Sequence, residues 1–224
     1  MPLIAHPSDP SLTPRRTFLQ RLAAASAMLA GATPAIADAQ QAKAPADPWL
    51  AKVTAKHRQV FDAPEHNSGF PAVFAATYLR TMTESYQLAP GGAHAIVVLR
   101  HWAMPMALTD AVWNKYAIGS MFDVTDPATK APARRNIFWK PNEGDVPFPQ
   151  FSIEKVMAMP ATFVACGLAL TVLSARAAAK AGVDAATAKR EWEAGIIPGI
   201  TVVPSGVLAV ARAQEHGCSY CYAG

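Results

Sequence analysis

Three cysteines carry the nucleophilic chemistry open to this 224-residue chain. Two of them, Cys218 and Cys221, close the sequence in "EHGCSYCYAG" with the CxxC spacing of thiol redox and metal sites. A reactive CxxC opens a helix, whose unpaired N–H groups favour a thiolate. Here only Tyr222, Ala223 and Gly224 follow Cys221, so no helix stands behind the pair. If the tail is extended, three residues span about 10 Å, beyond the roughly 7 Å between Cα atoms that a disulfide tolerates. A tight turn would permit the bond. No His follows for haem attachment, and no second CxxC completes a closed zinc site. The pair reads as structural, or as auxiliary resolving thiols.

The third cysteine, Cys166, sits in "FVACG" between an apolar run and a long Ala-rich segment. That pattern puts it at a strand end and at a helix N-terminus, where the dipole and free N–H groups favour an anion. The bland reading is a buried, inert core thiol. Two histidines fall at comparable junctions: His66, with Asn67, after "HRQVFDA", and His101, with Trp102, after "AHAIVVLRHW". Ser205 and Gly206 follow "GITVVPSG". In an open parallel sheet, sites form beyond the carboxyl ends of the strands, so these residues share one rim. Cys166, His101 and His66 are the candidate catalytic groups. Trp102, Asn67, Ser205 and Gly206 are candidate binding residues. "HWAMPM" and "VMAMP" also supply His101, Met104, Met106, Met157 and Met159, a set with the softness Cu(I) favours. Methionines on helices more often fill core gaps, and no metal site is assigned. Arg134 and Arg135 are a possible anion clamp. No GxGxxG, Walker loop, GxSxG or HExxH is present, and no cofactor is expected.

The elements that must position these residues alternate. Strands are expected over 57–63, 93–102, 161–167, 199–206 and 218–222. Helices are expected over 69–88, 104–119, 152–159, 168–182, 184–195 and 207–217. Ser152 and Asp184 are N-caps, while Gly119 and Gly182 are stops. The unbroken "AIVVL" run marks a strand buried on both faces. The chain is therefore expected to be α/β, with a mostly parallel five-stranded sheet covered by helices on both faces. Residues 120–151 hold five prolines and no sustained period. A connection of that length suggests a lid or an oligomer arm.

The N-terminus reads as an address. Arg15 and Arg16 precede a weakly apolar, Ala-rich stretch ending in small-residue sites at 35–39, the layout of an export signal. The paired arginines resemble the twin-arginine type, although Pro14 stands where Ser or Thr is more usual. The expected division is a signal peptide over 1–39, a linker over 40–54 and one α/β domain over 55–224. A periplasmic location follows, with no stable membrane insertion after cleavage. Leaving out the three arginines and two aspartates before Gln40 reduces 20 basic and 16 acidic residues to 17 and 14. That balance argues against nucleic acid as a partner.

"SIEKVMAMPATFVACGLALTVLSARAAAKAGV" and "IIPGITVVPSGVLAVARAQEHGCSYCY" together resemble the DsrE/DsrF-like sulfur-relay family. The order of short helix, strand with lone cysteine, helix, "TVVPSGV", "ARAQEHG" helix and aromatic strand carries the likeness. It covers about residues 55–118 and 152–222. The resemblance implies a flavodoxin-like three-layer sandwich and a homo-oligomer, trimer or hexamer. It also implies a persulfide on Cys166, received from a small sulfur donor or a relay protein. The 120–151 segment and the export signal set the chain apart from compact cytoplasmic members. Two other readings stay open: a periplasmic metal or redox binding module, and a non-catalytic oligomeric binding unit with Cys166 simply buried.

Overall fold

The computed structural model describes residues 47–224. The Arg15–Arg16 pair, the small-residue sites and residues 40–46 of the expected linker lie outside the described residues.

Five strands, β1 (His57–Ala63), β2 (Ala93–Leu99), β3 (Ala161–Cys166), β4 (Thr201–Val203) and β5 (Ser219–Tyr222), form one sheet of order β4-β3-β2-β1-β5. Every pairing is parallel. Helices α1 (Phe70–Tyr86), α2 (Asp110–Lys115), α3 (Ile118–Met121), α4 (Ile153–Met157), α5 (Gly167–Ala181), α6 (Ala185–Ala194) and α7 (Gly206–Glu215) surround it. The architecture is the three-layer, flavodoxin-like α/β sandwich, though the strand order is not the 2-1-3-4-5 of flavodoxin itself.

Strand alternation sorts the core into two layers. Phe61, Val97, Leu99 and Phe163 face one side, under α1, α4, α5 and α6. Val60, Ile96, Val98 and Val164 face the other, under α7 and a turn at Trp49, Leu50 and Val53. The asymmetry follows from right-handed crossovers. Steps β1 to β2 to β3 to β4 all run one way and lay their helices on one face. The step from β4 back to β5 runs the other way and puts α7 on the opposite face.

Ser152, Asp184 and Gly182 take the cap roles the sequence signals, whereas Gly119, expected as a stop, lies inside α3. Ser152 accepts from Lys155 N–H (3.4 Å) and Asp184 from Thr187 N–H (2.8 Å). Gly182 closes α5 at φ +68°, where a side chain would be strained.

Two regions differ from expectation. The single helix expected over 104–119 is broken into a 3-10 stretch (His101–Ala107), α2 and α3. Leu108 turns extended to bridge Ile196, and Ala117 takes φ +49°. The 120–151 connection packs part of its length into the core. Phe122, Val124, Ala133, Ile137 and Phe138 are buried within it. Asn136, 1% exposed, organises the segment. Its Nδ2 donates to the carbonyls of Met106 (2.8 Å) and Leu108 (2.7 Å). Its Oδ1 accepts from the N–H groups of Phe138 (3.0 Å) and Trp139 (3.2 Å). Buried polar satisfaction thus replaces regular secondary structure.

Candidate functional site

Adjacent strands β3 and β4 send their helices to opposite faces, so the N-termini of α5 and α7 part above them and leave a crevice. A cavity of about 390 Å³ occupies this point, lined by Arg100, His101 and Trp102 after β2, Cys166 after β3, and Ser205 before α7. Its mouth is formed by the first turns of α5 and α7.

Cys166 is the N-cap of α5, and its Sγ accepts from Ala169 N–H at 3.3 Å. The next N–H, of Leu168, donates to Pro204 O (3.2 Å) and ties α5 to the β4 end. The residue is 6% exposed, and its sulfur meets the surface at the cavity. Gly167 suits that closeness, since a Cβ there would stand 3.0 Å from Val203 O.

Beside the thiol lies a group that sequence reasoning passed over. Arg100 donates through Nε to Asp62 Oδ1 (2.6 Å) and through Nη2 to Oδ2 (2.9 Å), a two-point fork. Tyr220 Oη donates to the same Oδ2 at 3.1 Å. The Asp62 hydrogen bond pushes the Arg100 pKa up against the opposing effect of burial, and the charges of Asp62, Tyr220 and Cys166 add to the rise. Gly206 makes room for this arginine: a Cβ there would come within 2.5 Å of Arg100 Cβ. No local pattern announces a fork between residues 38 positions apart.

His101 adopts φ +49° and is exposed at the cavity edge, its ring edge-on to Trp102 (5.6 Å). Trp102 packs on Phe122 (4.8 Å) and carries the Arg176 guanidinium 5.8 Å from its ring centre. Strands β2, β3 and β4 therefore bring Cys166, His101, Trp102 and Ser205 to one cavity, while Gly206 packs against Arg100 outside its lining.

His66 and Asn67 are not part of this cavity. His66 accepts from Ser68 N–H at Nδ1 (3.3 Å), so its Nε2–H faces Phe122 O at 3.3 Å, and its ring stacks on Phe138. Both nitrogens hold backbone, so His66 is withdrawn as a catalytic candidate. Burial lowers its pKa, against the raising effects of the Phe122 carbonyl and the Glu65 and Asp123 charges. Asn67 is exposed in the adjoining left-handed turn.

The tail cysteines are free and face opposite layers. Cys218 is buried with Val60 and Ile96, whereas Cys221 packs toward Phe61 from within extended β5. Burial pushes both thiols up. Geometry therefore excludes a bond between them, and the extended alternative of the sequence holds.

Met104 and Met106 are fully buried and Met157 and Met159 half-buried against the same core, so they fill gaps. Among the described residues no group of three His, Cys, Asp or Glu side chains is placed to hold a metal. Arg134 and Arg135 border a larger hollow of about 630 Å³, far from any thiol. There Arg134 is held by Asn114 (2.8 Å) and Arg135 by Asp145, so neither is poised as a clamp.

No family model and no curated protein matches the chain. Among solved structures, a protein of unknown function from Methanobacterium thermoautotrophicum, MTH1491, matches with 15% identity and a TM-score of 0.36. The match covers 75% of this chain and 99% of that one. A likeness this weak says nothing of activity.

Proposed function

We propose that the protein is an exported sulfur carrier that holds sulfane sulfur as a persulfide on Cys166. The observation that carries this reading is one thiol that accepts a helix N–H and lines a cavity at the sheet's switch point, with the Arg100 side chain in the same lining. A persulfide is an anion, and the N-terminus of α5 is where a helix favours negative charge. Cys166 sulfur attacks a sulfane sulfur, a new S–S bond forms, and the remainder of the donor departs with the bonding electron pair. The thiol proton passes to His101 or to water. Export through the Arg15–Arg16 address and assembly into a homo-oligomer belong to the same proposal.

The test is incubation of the full chain with inorganic polysulfide, followed by intact-protein mass spectrometry and peptide mapping. The expected product gains whole sulfur atoms at Cys166, and Cys166→Ala abolishes the gain there. Absence of any adduct at Cys166 refutes the proposal and favours the reading of Cys166 as a buried core thiol.

A further inference from the structure

The surroundings of Cys166 are not those an inorganic sulfur anion would require. Three large apolar side chains stand out from the cavity mouth: Leu168 (61% exposed), Val172 (58%) and Val207 (69%). Trp102 supplies an aromatic wall. A small, strongly hydrated anion such as thiosulfate gains nothing from such a surface and loses water against it.

Leu168, Val172 and Arg176 recur at every fourth position on α5 and form one stripe leading away from the thiol. Eight helical residues advance about 12 Å, and a long side chain on a helix leans back toward the N-terminus. The Arg176 guanidinium accordingly lies over Trp102 and lines the cavity. Unlike Arg100, it has no carboxylate partner among the described residues.

We propose that the sulfur donor is an amphiphilic organic molecule. It presents its sulfane sulfur to Cys166, lays an apolar or aromatic body along Leu168, Val172, Val207 and Trp102, and sets a distal acidic group on Arg176. The two ends are separated by roughly 10 Å, set by the helix rise between Cys166 and the back-leaning Arg176 side chain. This rests on the persulfide reading of Cys166 and adds the class of donor.

For a thiosulfonate donor, R–SO2–S⁻, the step balances without a further reagent. Cys166 sulfur bonds to the terminal sulfur, the bond between that sulfur and the sulfonyl group breaks, and the sulfinate R–SO2⁻ leaves with the electron pair. The thiol proton goes to solvent.

The experiment compares three probes on the full chain at equal concentration: methanethiosulfonate, benzenethiosulfonate and 4-carboxybenzenethiosulfonate. The readout is the initial rate of persulfide formation at Cys166 by mass spectrometry. Rates are expected to rise in that order, by about tenfold at each step, the scale of one buried contact or one charge-assisted hydrogen bond. Arg176→Gln should bring the ratio between the two aromatic probes to about one. Leu168→Ser with Val207→Ser should collapse the gap between benzene and methane probes. Equal loading by all three probes overturns the donor class while leaving the carrier role intact. Loading by none of them, and none by polysulfide, overturns the carrier role itself. If the Ser variants load normally but fall to a smaller species by light scattering, the apolar mouth is a subunit contact and the inference is wrong.

Discussion

Asp62 is the residue whose loss should reveal most about the site, because it holds Arg100 without touching Cys166. The perturbation is Asp62→Asn, which keeps shape but removes the charge and turns one oxygen into a donor. The Asp62 side chain is 7% exposed and that of Arg100 27%. Removing one partner of a fully buried ion pair costs about 3–5 kcal/mol, while a fully exposed pair is worth at most about 1 kcal/mol. Arg100 reaches some water, so the loss should fall at about 2–3 kcal/mol. With a urea slope of about 2–3 kcal/mol per molar, that is a midpoint shift of roughly 1 M at unchanged slope. Tyr220→Phe removes only the hydroxyl from Asp62 Oδ2 and should cost about 0.5–1 kcal/mol. The functional readout is alkylation of Cys166 by iodoacetamide, whose rate should change once the guanidinium loses its carboxylate partner. A midpoint shift in Asp62→Asn no larger than that of Tyr220→Phe refutes the account of the fork. Unchanged Cys166 alkylation in a folded variant refutes its bearing on the thiol.

Other outcomes follow from the same geometry. Asn136→Ala strands two carbonyls and the Phe138 N–H in the core, while Trp139 N–H keeps the Asn136 carbonyl, and should destabilise by about 3–5 kcal/mol in urea unfolding. Gly206→Ala forces a methyl onto the Arg100 stem, with an overpacking cost of about 1–3 kcal/mol. An unaltered urea midpoint would show that the contact relaxes freely. Burial lowers the pKa of His94 and of His66 below the ordinary 6.5. Both are therefore preferentially neutral in the fold, and their contribution is complete above pH 6.5 and is lost as pH falls through the folded values. Urea midpoints should drop on acidification below about pH 6.5, and His94→Gln should flatten that drop; an identical slope in the variant would exclude His94. Non-reducing peptide mapping of oxidised protein should find no Cys218–Cys221 bond before unfolding.

The strands and caps were legible because their signals are local. The "AIVVL" run, Ser152, Asp184 and Gly182 each need only a few neighbours to fix their role, and each took it. The break at Leu108 was not legible, since a bridge to Ile196 overrides helical spacing. The packing of residues 120–151 escaped because it depends on Asn136 binding carbonyls some 30 positions away. In the site, the rim rule placed Cys166, His101 and Ser205 correctly, as they follow the neighbouring strands β3, β2 and β4. It failed for His66 because β1 lies two strands from β3, about 10 Å across the sheet. Knowing that strands are parallel does not give their order. Arg100, read from sequence only as the end of a strand, proved to be the residue joining the two edges of the site.

The opposite facing of Cys218 and Cys221 has a use in following motion. One thiol is covered by the α7 layer and the other packs against the α1 layer, and two residues separate them in the chain. Their labelling rates would time the opening of each layer independently, within a single molecule and with no introduced probe. The lone helix α7 covers its face with far less apolar contact than the opposite layer has. Cys218 should therefore be the earlier of the two to respond to mild denaturant relative to its native rate, making the C-terminal tail a built-in clock for the thinner side of the sandwich.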